Sequence, residues 1–174
     1  MRKHSMVMAK IINDKGYRKI AEIGVWKGRF MNGILWVCPH VTEYWGIDSW
    51  CDLHDPDYNE PNMAKMTDDE WLETYLFVCH GLKAYPQLKL IRADATKVAQ
   101  LFPNGYFDVV FIDADHAYEA VKNDIEVWTP KVRKGGIISG HDHFKRYPGV
   151  KQAVAEAFGD KFQGLPSTCW MVEI

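Results

Sequence analysis

Long apolar runs are missing from this chain. None approaches the roughly twenty residues needed to cross a bilayer, and Met1-Arg2-Lys3-His4-Ser5 leads into no signal-type apolar block. The expectation is a protein with no membrane partner. An excess of one charge is missing too: 21 Lys and Arg stand against 23 Asp and Glu, a net charge of −2, with no basic run. A nucleic-acid footprint is therefore not expected. The four cysteines (Cys38, Cys51, Cys79, Cys169) form no Cys-x-x-Cys pair. They read as free thiols in a reducing compartment, which points to a cytoplasmic protein. Internal repeats, low-complexity tracts and interdomain linkers are absent as well. One domain over residues 1–174 is expected, long enough to bury a proper core.

What the chain does have is organised around Ala21-Glu22-Ile23-Gly24-Val25-Trp26-Lys27-Gly28. An apolar run meets two glycines four apart, and a helix-compatible segment follows from Arg29. A parallel strand hands over to a helix through such a turn, where glycine admits a ligand close to the backbone. The spacing Glu-x-Gly-x-x-x-Gly is looser than the Gly-x-Gly-x-x-Gly of dinucleotide binders. Asp48, twenty residues past Gly28 at the end of a second apolar segment, adds a carboxylate suited to a ribose diol.

The remaining pattern alternates. Residues 3–15 predict a short helix with Met6, Met8, Ile11 and Ile12 on its stripe, ending near Gly16. Strands are expected at Arg18–Gly24, Tyr44–Asp48, Leu88–Arg92, Phe107–Asp113, Ile137–Gly140 and Cys169–Ile174. Helices are expected at Arg29–Cys38, Ala95–Leu101, His116–Trp128 and from Pro148 to Gly159. Thr67-Asp68-Asp69-Glu70 reads as a capping box opening a helix through Trp71, Tyr75, Val78, Cys79 and Leu82. Residues 49–66, with Asp52, His54, Asp55, Asp57 and Glu60 among prolines, read as a mobile loop beside a site. The alternation argues an α/β fold: a Rossmann-like, doubly wound, mainly parallel sheet covered on both faces.

Ligands of such sheets collect at the carboxyl ends of the strands. Those ends read Glu22/Gly24, Asp48, Asp94, Asp113 and His141-Asp142-His143. Asp94 suits an exocyclic adenine amine or the N-cap of the following helix, and both roles are compatible. Glu22 either fixes the turn through backbone N–H groups or touches ligand. Asp113-Ala114-Asp115-His116 facing His141-Asp142-His143 makes a candidate metal site. Its mix of oxygen and imidazole suits magnesium, manganese or iron better than structural zinc. Lys145 and Arg146 read as solvated charges or as partners for an anionic group.

Taken together, Glu22-Ile23-Gly24 through Gly28, Asp48, Asp94-Ala95, Phe111 to Tyr118 and Gly135 to Asp142 resemble class I S-adenosylmethionine-dependent methyltransferases. The Asp-x-Asp-His-x-Tyr and Gly-Gly…His-Asp pair is similar to the small bacterial and phage group related to metal-dependent macrolide-sugar and cephalosporin-cluster O-methyltransferases. The resemblance covers nearly the whole chain and implies an antiparallel C-terminal strand. It implies a cofactor pocket at Glu22, Gly24, Val25, Trp26, Gly28, Asp48, Ser49, Asp94, Ala95 and Asp113. It also implies a divalent metal, magnesium or manganese, on Asp113, His141 and Asp142, and His116 as general base beside catalytic Asp113. His141 stands where relatives carry an oxygen ligand. The implied reaction is O-methylation of a hydroxyl on a small molecule or sugar. Whether a homodimer forms is left open. A nicotinamide oxidoreductase would need the tighter glycine fingerprint. A catalytically inactive cofactor-binding or scaffold protein is the alternative, against which the intact first turn and Asp48 argue.

Overall fold

The apolar strand segments assemble as their patterning requires, into a sheet buried on both faces. The computed structural model describes residues 2–51 and 66–174, without the Leu82 side chain. The expected loop over 49–66, with its five acidic or histidine positions between Asp52 and Glu60, falls almost entirely outside the described residues.

The elements run α1 (Lys3–Lys15), β1 (Lys19–Ile23), α2 (Arg29–Val37), β2 (Glu43–Asp48), α3 (Asp68–Cys79), β3 (Leu88–Arg92), α4 (Ala95–Val98), β4 (Phe107–Ile112), α5 (Tyr118–Trp128), β5 (Val132–Gly140), α6 (Pro148–Phe158), β6 (Gln163–Gly164) and β7 (Trp170–Glu173). The seven described strands lie in the order β3-β2-β1-β4-β5-β7-β6. Pairs among β1 to β5 are parallel, whereas β7 is antiparallel to both β5 and β6. Strand order reverses between β1 and β4, the place where open α/β sheets form their ligand crevice.

Each face of the sheet carries its own core. Met8, Ile12, Met31, Ile34, Tyr44 and Phe111 pack under α1 to α3. Ile23, Ile47, Val110, Ile125, Trp128 and Val154 pack under α4 to α6. Four of the five β1 residues are buried, as a central parallel strand requires.

Several boundaries differ from the sequence expectation. β5 begins at Val132 rather than Ile137, because Gly135-Gly136 is an irregularity inside the strand and not its start. Gly135 N–H donates to the Ile174 carbonyl and Ile174 N–H to that of Gly136. The β4–β5 register shifts between Phe107 and Val109 at the same point. β6, two residues long, carries no alternation from which it could be read. α5 starts at Tyr118 and not at His116, since Asp115 Oδ1 accepts from Ala117 N–H and Ala117 is extended. α3 stops at Cys79 and tightens into a 3-10 turn over His80–Lys83, so the Leu82 position lies beyond it. The Thr67–Glu70 capping box forms in both directions. On α1 the inward stripe is His4, Ser5, Met8, Ala9 and Ile12, while Met6 is exposed.

Candidate functional site

The β1–α2 turn is shaped by the absence of a side chain. Gly24 has φ +87°, and a Cβ there would stand 2.2 Å from the Asp113 carbonyl oxygen. Gly28 caps α2 at φ +66°, where a Cβ would press on the Met31 methyl. Between them the backbone is gripped by Asp48. Its Oδ2 accepts from Val25 and Trp26 N–H, each at 2.8 Å, and its Oδ1 from Trp50 N–H at 2.7 Å. Burial raises the Asp48 pKa, and these three donors pull it back toward the ionised form. Trp26 and Trp50 both hold positive φ, +46° and +42°, and Trp50 Nε1–H donates to the Trp26 carbonyl. Strained backbone of this kind costs on the order of 1–3 kcal/mol per residue and clusters at sites.

Above this turn opens a cavity of about 560 Å³, within the range of small-molecule sites. Gly24, Trp26, Asp48, Ser49, Asp94, Ala95 and Asp113 line it, as the sequence led one to expect. Val25 and Gly28 are not among the lining residues. Glu22 is 1% exposed, is not among the residues lining the cavity, and accepts a 2.7 Å bond from the Tyr44 hydroxyl. Burial lifts its carboxyl well above the ordinary range, with Asp113 and Asp48 adding to the lift. The turn-fixing role considered for Glu22 belongs to Asp48. Asp94 does cap α4, accepting from Thr96 N–H and Oγ1–H through Oδ1, and lines the cavity as well.

The far end of the cavity is shared with a second constellation. Ligand atoms of Asp113, His141 and Asp142 lie within 4.8 Å of one another. His141 Nδ1 stands 3.5 Å from Asp113 Oδ1 and 3.2 Å from Asp142 Oδ2. His116 Nε2 lies 2.9 Å from Asp142 Oδ2, and its ring stacks on Tyr147 at 4.0 Å. Burial by itself would depress the His141 pKa, but the two carboxylates outweigh it and hold it at about 10. Burial opposes ionisation of Asp142 as well, yet His116 and His141 keep its pKa well below the usual carboxylate range. Asp142 has φ +57°, a strained conformation for a residue with a side chain. Two carboxylates and an imidazole so gathered fit a divalent cation of the oxygen-preferring kind.

Sequence reasoning missed several contributors. His4 of α1 is 6% exposed and its ring lies 4.4 Å from that of His141. Burial and then the His141 charge depress its pKa to about 4. Thr168 Oγ1 meets His141 Nε2 at 3.2 Å. Trp71, Asn123 and Asp124 join the cavity wall. Asp124 had a legible signal: with Val121, Ile125 and Trp128 it completes a buried i, i+3, i+4, i+7 stripe, where a carboxylate is out of place. Around the Trp26 ring stand Arg2, Lys27 and Arg29, at 6.0, 4.9 and 6.0 Å from its centroid.

With this geometry in hand, comparisons have a place to attach. A family described as a methyltransferase domain matches residues 21–143, the span from β1 to just past the His-Asp cluster. An uncharacterized protein of Acanthamoeba polyphaga mimivirus, R132, is 37% identical over 162 residues, covering 90% of this chain and 67% of that one. Among solved structures, a candidate caffeoyl-CoA O-methyltransferase of Staphylococcus aureus superposes with TM-score 0.68 at 15% identity, over 98% of this chain and 82% of the other. CalS11, a calicheamicin methyltransferase, does so with TM-score 0.67 at 15% identity, over 99% and 80%. At such identities the two structures speak for the fold.

Proposed function

The chain belongs to the methyltransferase-domain family, and from that premise we propose that it transfers the methyl group of S-adenosylmethionine to a hydroxyl oxygen of a small molecule or sugar. The observation that carries the reading is that Asp113 belongs at once to the 560 Å³ cavity and to the Asp113–His141–Asp142 cluster. A donor in the cavity would therefore present one end to an acceptor at the cluster. S-adenosylmethionine fits the donor space: a cavity lined by the Gly24 backbone and the Asp48 and Asp94 carboxylates, with a buried indole N–H at Trp71 that has no partner among the described residues.

Methyl transfer is an in-line displacement in which alignment supplies much of the acceleration. The donor, when bound, supplies an electrophilic methyl group on a sulfonium. The chain's residues do the rest. Gly24 lets the turn close on the Asp113 carbonyl, which joins the donor cavity to the cluster, and the Asp48 grip keeps the turn from shifting. Trp26, Ser49, Asp94 and Ala95 enclose the nucleoside part. Asp113, His141 and Asp142 would hold a divalent ion, whose chemistry there is to lower the pKa of an acceptor hydroxyl. His116, held against the cluster by the contact of its Nε2 with the Asp142 carboxylate, takes the acceptor proton, and that carboxylate stabilises the imidazolium so formed. CalS11 is a TDP-rhamnose 3'-O-methyltransferase, so nucleotide sugars belong among the acceptors to be tried.

The test pairs calorimetry with S-adenosylhomocysteine and a turnover assay over a hydroxyl library that includes nucleotide sugars. Donor binding with methylated product supports the reading. Donor binding with no product from any member favours a scaffold, and absence of donor binding removes the reading altogether.

A further inference from the structure

We infer that Asp124, on the inner stripe of α5, recognises the purine base of the methyl donor. The inference rests on the methyltransferase reading above and adds to it the residue that reads the base. The cavity runs from Asp113, where the cluster fixes the reacting end, toward Asp94 at the end of β3. The nucleoside's base therefore occupies the Asp94 end. α5 packs against α4 there, and Asp124 lines the cavity with Thr96 and Asn123. Asp124 is 6% exposed and has no hydrogen bond among the described residues. Its neighbour Asp94 is already engaged, with Oδ1 on Thr96 and Oδ2 near Lys97 Nζ at 3.5 Å. A buried polar group without a partner costs stability, so its presence on a cavity wall calls for a ligand. Trp71, 5% exposed on the same wall, has a buried indole N–H with no partner among the described residues.

The chemistry of the pairing follows from protonation. Burial raises the Asp124 pKa to about 7, with the charges of Asp94 and Asp115 adding to it. Those two face it from the α4 cap and the β4–α5 loop, and Asp113 stands farther along the wall. On α6, which packs against α5, Lys151 and Glu156 are exposed, and Glu156 is bonded to Tyr118 and Gln152. No cation facing Asp124 is among the groups that shift it. A neutral carboxyl offers one O–H donor and one carbonyl acceptor. Adenine presents the complement, an amine beside a ring nitrogen, which Asn or Gln reads in the same two-point manner.

Calorimetry on the full chain with S-adenosylhomocysteine, and with its inosine counterpart lacking the amine, tests this. Wild type should prefer the adenine form at least about tenfold, the size of one lost buried hydrogen bond. Asp124→Leu should bind it about tenfold or more weakly and lose the preference. Asp124→Asn, which keeps a donor and an acceptor, should stay within about threefold of wild type. Wild-type affinity should fall as pH rises from 6 to 9, while Asp124→Asn stays flat. Retained preference and affinity in a folded Asp124→Leu, or identical pH profiles for wild type and Asp124→Asn, overturn the assignment of Asp124 alone. Failure of wild type to bind either form overturns the methyl-donor reading itself.

Discussion

The two ends of the site are built from different materials. Toward β2 and β3 the cavity is a backbone structure: a glycine turn, three N–H groups on one Asp48 carboxylate, two tryptophans at positive φ. Toward β4 and β5 it is a side-chain structure, in which Asp113, His116, His141 and Asp142 form a chain of charge-assisted contacts braced by His4 and Thr168. The first end tolerates no added volume and the second no lost charge. A shape-defined donor pocket and a charge-defined acceptor pocket should therefore fail separately when each is struck.

The largest effect should come from Gly24→Val. With φ +87° and a Cβ position 2.2 Å from the Asp113 carbonyl, it should abolish detectable S-adenosylhomocysteine binding by calorimetry; unchanged affinity would break the comparison at once. Asp142→Ala strikes the other end. It should lower turnover by about 10²–10⁴, the range of a lost acid–base function, yet leave donor affinity within about threefold. A parallel loss of both would mean that the two ends are one unit. Chelation sharpens the same contrast: activity should vanish and return with magnesium or manganese while donor affinity stays constant. Equal turnover with and without chelator would remove the ion from the acceptor end. His4→Ala removes a ring packed against His141, Phe30 and Phe111 and should reduce turnover by roughly tenfold or less, with a lower melting temperature from the vacated core space.

The smallest effect concerns stability. Asp124 has a folded pKa of about 7 against about 3.9 unfolded. The unfolded chain thus loses this proton first, and stability falls as pH rises from about 4 through 7. Asp124→Asn should melt higher than wild type at pH 8 and equally at pH 4. A constant difference across that range would show that Asp124 is ionised throughout.

The same contrast explains what was legible. The parallel order and the strand ends at Asp48, Asp94 and Asp113 follow from runs of apolar residues closing on a carboxylate, because strands buried on both faces must be written that way. The turn at Gly24 is legible since only glycine satisfies it. Roles within the turn are not: Glu22 and Asp48 are both carboxylates at strand ends, and only packing decides that one bonds Tyr44 and the other grips the backbone. His4 and Thr168 reach His141 from 137 and 27 positions away in the chain, and no local pattern encodes such meetings. The sequence predicts a shorter β5, because a glycine pair looks like a stop until its partners across β4 and β7 are seen.

One detail of the sheet carries a practical consequence. Asp113 N–H donates to the Ile23 carbonyl at 2.7 Å, and Ile23 pairs with Ile112 in the ladder. The gap between glycine turn and acidic cluster is thus one interstrand repeat, a length that rotamer changes or loop exchange leave untouched. On the proposed function, exchanging neighbouring loop segments would leave unchanged how far a methyl group must travel between the two ends.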